Sequence, residues 1–437
     1  MLLLKFLCSS NNQRIHSIAN EDIINFAIHI YQKNMSETAV ESILSERVLK
    51  MTESATLQMA GMARKMKEQG IDVITLSLGE PDFDTPQHIK DAALKAMNEG
   101  HTKYTAVAGN LDLREAICAK LKRENDLDYK PSQIVVSNGA KQDIATLCMA
   151  MLNPGDEVII LSPYWVSYSD IVKMCGGHAI LLSATVEEDY KVSAEKVRHA
   201  ITDRTKLIMF SSPCNPSGSV FTHDELKALA EVIAPHKGIY IMSDEIYEHI
   251  NYTGNHVSIA SFPNVKDRVI VINGFSKAFA MTGWRLGYMA APQMIADACI
   301  KIQGQVTSGA NSIAQKAGVA ALNSDLKPTR EMTAAFKKRR DLIISLFKEI
   351  PGFKCNLPTG AFYIFPDISS FFGKTDGTTV IKNSDDFALF LLHNAHVATV
   401  GGSAFGDDNC FRISYAASEA QIIEAAKRIK AAVAKLK

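Results

Sequence analysis

Lys277 and Arg285 are the only charged residues in GFSKAFAMTGWRLG (274–287), which follows the apolar run RVIVIN. Burial disfavours an ammonium, so a lysine among apolar neighbours becomes a neutral nucleophilic amine. Other chemically capable residues also follow apolar runs. Asp244 comes directly after YIMS, with Tyr247 three residues on. Asn215 follows KLIMFS, Trp165 follows EVIIL, and Gly139, Ala140 and Lys141 follow IVVS and open a helical segment. Singly, each has an ordinary use: Asp as a helix cap, Asn before Pro as a turn, Lys and Arg as solvated charges. Together they meet the needs of one cofactor, pyridoxal phosphate. Its aldehyde requires an amine for a Schiff base, which Lys277 offers. Asp244 suits the ring nitrogen, and Tyr247 and Asn215 suit the ring hydroxyl. The helix start at 139–141 and the Arg285 cation suit a phosphate. Trp165 can cover the ring face. A nicotinamide enzyme would place G-x-G-x-x-G after its first strand, where this chain reads SNGAKQ.

Seven short β-rich runs would position these residues: 134–137, 157–161, 178–182, 206–211, 240–243, 268–273 and 286–291. Helical segments such as 141–152 and 223–234 separate several of them, which predicts an α/β fold with a mainly parallel sheet covered on both faces. In such sheets ligands lie at the carboxyl ends of strands, where the residues above stand. A charged amphipathic helix near 330–350 is followed by strand-like 360–365, helical 385–395 and strand-like 397–402 and 410–417. These predict a smaller α+β domain. The expected boundaries are 1–45 as a leader or arm, 46–80 as a segment joining the small domain, 81–325 as the large domain and 326–437 as the small one.

The 47 basic and 47 acidic residues cancel, so nothing points to nucleic acid as a partner. No apolar run approaches the roughly 18–20 residues that span a bilayer. Eight scattered cysteines without a Cys-x-x-Cys pair suit reduced thiols in a cytoplasm. His393 and His396 lack clustered acidic or cysteine partners and read as helix residues rather than metal ligands. Residues 11–34 mix acids with lysine and asparagine, and SETAVESILSERV after Met35 reads as a protein start. Residues 1–34 are therefore expected to be a dispensable leader or a misassigned start.

GFSKAFAMTGWRLG resembles the cofactor-attachment signature of class I pyridoxal-phosphate aminotransferases. The resemblance extends from about residue 46 through SLGEPDFDTP (77–86), KYTAVAGNLDLREAI (103–117), GAKQ (139–142), NPGDEVIILSPYWVSY (153–168), NPSG (215–218), SDEIYE (243–248) and FRISYAASEA (411–420). It is strongest to the bacterial-type aspartate aminotransferase subgroup, some members of which use prephenate. The resemblance implies a fold-type I transferase and a homodimer with shared active sites. It makes Lys277 the Schiff-base lysine and proton carrier, and gives Asp244, Tyr247, Asn215 and Arg285 the cofactor roles above. Tyr104 would reach the phosphate of a neighbouring subunit. Arg412 would grip the substrate α-carboxylate, Gly79 would touch the substrate, and Lys141 and Thr56 would read a distal carboxylate. The implied reaction moves the amino group of aspartate to 2-oxoglutarate. The alternatives are prephenate or aromatic substrates in the same site, or a lyase reaction. Two positions depart from the pattern. Gly274 stands where some relatives carry a phosphate-binding serine, which leaves Ser276 as the nearby hydroxyl. Thr52 stands where some prephenate users carry a lysine.

Overall fold

The computed structural model describes residues 43–49 and 51–437, so the leader expected over 1–34 lies outside the described residues. Residues 43–49 include one short helix, Glu46–Leu49. From Thr52 to Lys437 the chain forms one compact unit.

A two-residue strand, β1 (Ile74–Thr75), precedes the main sheet. That sheet has seven strands: β2 (Ile134–Ser137), β3 (Glu157–Ser162), β4 (His178–Ser183), β5 (Thr205–Ser211), β6 (Tyr240–Asp244), β7 (Val269–Gly274) and β8 (Gly287–Ala290), in the order β2-β8-β7-β6-β5-β3-β4. Pairing is parallel except around β8, which runs antiparallel to both β2 and β7. Strands β2, β3, β7 and β8 are buried along their whole length. Their continuous apolar runs are what a sheet covered on both faces demands. One apolar cluster includes Ile117, Val136 and Phe275, and a second includes Ile144, Ile160 and Met289. The alternation of Val136 and Val135 between them shows the period of two that separates the faces of a strand.

Register places the chemistry. Ser211 of β5 pairs with Asp244 of β6, and Asp244 pairs with Ile272 of β7. Three adjacent strands therefore end nearly in line, and the residues that follow them emerge at one edge. Helix starts between the strands carry the expected signals. Thr222 and Glu225 form a reciprocal capping box at helix His223–Ile233.

The C-terminal part contains β9 (Tyr363–Ile364), β10 (Val397–Ala398), β11 (Val400–Gly401) and β12 (Phe411–Ser414). Strands β11, β12 and β9 form an antiparallel sheet, and β10 pairs in parallel with β1. The run expected as one strand over 397–402 is two, broken at Thr399. The 22-residue helix Lys327–Lys348 buries Met332, Phe336, Ile343, Ile344 and Phe347 in a cluster with Phe362, Phe387 and Phe411. His393 lies in helix Ser384–Asn394, but His396 does not: it follows the helix end with φ 53°. No helix among the described residues is long and apolar enough to cross a membrane.

Candidate active site

A cavity of about 390 Å³ opens at the shared strand edge. Thr56, Gly79, Ala140, Lys141, Trp165, Asn215, Asp244, Tyr247, Ser276, Lys277, Arg285 and Arg412 all line it. Lys277 lies three residues beyond β7. Its Nζ donates to the Gly79 carbonyl at 2.6 Å and stands 5.8 Å from the Tyr247 ring centre. Burial lowers its pKa to about 8. Arg412 and Arg285 push the same way, against the opposing fields of Glu80 and Asp244.

Asp244, 5% exposed at the end of β6, accepts from the Tyr168 hydroxyl at 2.6 Å and from the Ile246 N–H at 3.2 Å. Burial raises its pKa to about 6 despite these donors. A cationic N–H placed against it would restore the anion. Tyr168 packs edge-on against Trp165, with ring centres 5.6 Å apart, so Tyr168 touches both the ring-cover candidate and the carboxylate. The Tyr247 hydroxyl lies 2.6 Å from that of Tyr363.

The candidate anion cradle is built from backbone. Gly139 has φ 89° and precedes helix Ala140–Met151, whose start has no side-chain cap. The first helical N–H groups therefore remain available to an anion. Arg285 crosses in front, donating from Nη1 to the Thr282 carbonyl at 3.0 Å and from Nη2 to the Asn138 carbonyl at 3.2 Å. A Cβ at Gly139 would fall 2.5 Å from Arg285 Nη2, so the glycine is what admits the guanidinium. Lys141 Nζ sits 4.8 Å over the Trp165 ring, and burial and Arg285 lower its pKa. Gly274 marks a close strand crossing: a Cβ there would lie 3.0 Å from Gly287 Cα. The missing serine thus coincides with a place that has little room for a side chain.

Arg412, on β12, is 2% exposed. It donates from Nη1 to Asn215 Oδ1 at 2.9 Å and from Nη2 to the Ser77 carbonyl at 2.6 Å, while its Nε has no partner among the described residues. Its guanidinium lies 4.7 Å from the ring centres of both Tyr363 and Phe405. No described carboxylate pairs with this buried cation, and an anionic ligand would supply the missing charge. Tyr104 stays apart from the cavity at 97% exposure. Reading the sequence missed Tyr168, Tyr363, Glu80 and Thr282. The Thr282 hydroxyl donates to Glu80 at the cavity wall. The two tyrosines stand inside the stretches SPYWVSY and GAFYIF, where a tyrosine among apolar residues has the pattern of a core side chain.

Residues 71–429 match the family described as Aminotransferase class I and II. The chain belongs to this family. Among its aminotransferase relatives, a bifunctional aspartate aminotransferase and glutamate/aspartate-prephenate aminotransferase from Petunia hybrida is 46% identical over 415 residues, covering 93% of this chain and 86% of the relative. An aspartate aminotransferase from Rhizobium meliloti is 45% identical over 395 residues, 90% of this chain and 96% of the relative. The crystal structure of an aspartate aminotransferase from Rhizobium meliloti superposes with a TM-score of 0.87 at 44% identity, covering 90% of this chain and 99% of that one. The Thermus thermophilus aspartate aminotransferase with maleate gives 0.83 at 39% identity, covering 89% and 99%. The fold is therefore the fold-type I architecture that the resemblance implied. Membership implies pyridoxal phosphate, and the residues present fit it. The uncapped helix start and the glycine that admits Arg285 suit a phosphate, and the buried Asp244 has no full positive charge as a hydrogen-bond partner among the described residues.

Proposed function

We propose that this aminotransferase moves the amino group of aspartate to 2-oxoglutarate, giving oxaloacetate and then glutamate. One observation carries the reading. Two cations without described carboxylate partners, Arg412 and Lys141, face the same cavity as the Lys277 amine. They suit a dicarboxylic substrate held at both ends, with the α-carboxylate on Arg412 and the distal one on Lys141 and Thr56. Fixing both ends orients the Cα–H bond towards Lys277.

Pyridoxal phosphate would supply an aldehyde to bond the amino group and a ring to draw electrons from Cα. Asp244 would hold its ring nitrogen, and Tyr247 and Asn215 its hydroxyl. Gly139, Ala140, Lys141, Ser276 and Arg285 would hold its phosphate, with Trp165 on its face. The Lys277 Nζ would carry the 1,3-proton transfer, taking the Cα proton of the donor and, in the second half of the reaction, supplying a proton to Cα of the acceptor. A pKa near 8 leaves a useful fraction of neutral amine at working pH while keeping it basic enough to act. Gly79 holds that amine in place through its carbonyl.

A second reading, transfer to prephenate or aromatic 2-oxo acids, draws on the apolar wall of Leu57, Leu78 and Val166 and on the Petunia relative's name. Thr52, by contrast, offers no cation and is tied to Asp170 at 2.7 Å. We also infer a cytoplasmic homodimer in which Tyr104 reaches the second copy's site.

The test is a steady-state panel of amino donors against 2-oxoglutarate, with prephenate among the acceptors, on the wild type and Lys141→Ala. Aspartate should give the highest kcat/KM. The variant should lose about tenfold or more on aspartate, the scale of a charged hydrogen bond, and far less on alanine. Equal losses would remove Lys141 from substrate reading.

A further inference from the structure

Tyr363 carries no role so far. Its side chain is fully buried, and Tyr247 is its hydroxyl's sole hydrogen-bond partner among the described residues, at 2.6 Å. It stands on β9 opposite Ser414 of β12. Arg412 is two residues before Ser414, hence on the same face, with its guanidinium 4.7 Å from the Tyr363 ring centre. On the other side a Cβ at Gly79 would collide with the Tyr363 hydroxyl, so the glycine admits the phenol. Gly79 is also the residue whose carbonyl holds the Lys277 amine. Tyr363 thus touches or flanks the carboxylate clamp, the substrate-facing backbone and the tyrosine expected at the cofactor hydroxyl.

Two hydroxyls at this distance share one proton between them, so one donates and the other accepts. If Tyr247 gives its proton into the cavity, as the proposed function requires, Tyr363 must donate to Tyr247. A hydroxyl that accepts a hydrogen bond becomes a better donor. The Arg412 cation above the ring strengthens Tyr363 as a donor in turn. We propose that Tyr363 is a positioning residue that donates to Tyr247 and transmits the charge at Arg412 to the hydrogen bond Tyr247 gives into the cavity. An anion bound on Arg412 then weakens that bond, so substrate binding raises the proton affinity of the bound cofactor. The charged groups facing the tyrosine pair are Arg412 from β12, Asp244 from β6 and Lys277 beyond β7. Arg412 opposes the burial that raises the Tyr363 pKa. The inference rests on pyridoxal phosphate occupying this cavity.

The test compares wild-type holoenzyme with Tyr363→Phe, which deletes one oxygen. The absorbance–pH midpoint of substrate-free holoenzyme should rise by about half a unit in the variant. Maleate, a non-reacting dicarboxylate, should raise the midpoint in the wild type and raise it distinctly less in the variant. The kcat should fall about three- to fivefold, the scale of one neutral hydrogen bond, with KM changed less than twofold. In a Tyr247→Phe background, adding Tyr363→Phe should shift the midpoint no further. A midpoint and maleate response equal to wild type, or shifts that add across the two variants, would overturn the coupling and leave the aminotransferase reading intact. A wild type that gains no cofactor band would overturn both.

Discussion

Burying the Lys277 amine costs stability. Its folded-state pKa of about 8 lies below the ordinary lysine value of 10.5, so the folded protein binds fewer protons than the unfolded chain between those values. Stability therefore rises with pH across that window. Below about pH 8 the penalty for burying the ammonium is present in full. The cofactor-free Lys277→Met protein should accordingly be more stable than cofactor-free wild type at pH 7, by about 1–3 kcal/mol. The gap should close as pH approaches 10.5. Urea denaturation at pH 7 and pH 10 measures it, and a gap that does not change with pH would mean the amine is not strained by burial. Lys277, Asp244 and Asn215 were legible in the sequence because each is a polar type within four residues of the end of an apolar run. Tyr168 and Tyr363 were not, since a tyrosine within an apolar segment reads as core. The Tyr247–Tyr363 contact joins residues 116 apart, and no local pattern encodes it.

At the scale of elements, the proposed anion cradle depends on one turn. Gly139→Ala forces a side chain onto φ 89° and places its Cβ 2.5 Å from Arg285 Nη2. The backbone term alone costs about 1 kcal/mol, and the collision expels Arg285 from the helix start. The apoprotein should therefore melt a few degrees lower. Its affinity for pyridoxal phosphate, followed by equilibrium dialysis, should fall about tenfold or more, since a charge-assisted contact is displaced. Unchanged affinity would show that the phosphate does not lie between the helix start and Arg285. The turn was visible as Gly139 between a strand and a helix. The direction of β8 was not, because an apolar run of four residues looks the same pointing either way. Only the pairing of Gly274 with Gly287 reveals the close antiparallel crossing.

Across the whole chain, the segment that delivers Asp244 and Tyr247 is anchored from behind by buried charge. Glu248 meets Lys120, which is 1% exposed on helix Leu111–Asn125, and also accepts from Asn125 at 3.1 Å and Asn273 at 2.7 Å. Asn273 is the penultimate residue of β7, so Glu248 links the β6 and β7 ends that carry Asp244 and Lys277. Burial alone would raise the Glu248 pKa, but Lys120, with His249 and His256, outweighs it and holds the group well below the usual carboxylate range. In the sequence Lys120 stands in AKLKREN, where it looks like any solvated helix lysine. Lys120→Met leaves Glu248 buried without its nearest cation and should cost about 3–5 kcal/mol at pH 7. Lys120→Met/Glu248→Gln should recover much of that loss, because neither charge is then stranded. The pH dependence separates charge from packing. In the wild type the Glu248 contribution is present above its unfolded pKa of about 4.3 and is lost as pH falls through the lower folded value. In Lys120→Met, Glu248 is free to take up a proton at higher pH, so the stability gap from wild type should narrow on acidification. A gap that stays constant from pH 7 to pH 4 would assign the loss to the missing side-chain volume of Lys120 rather than to its charge.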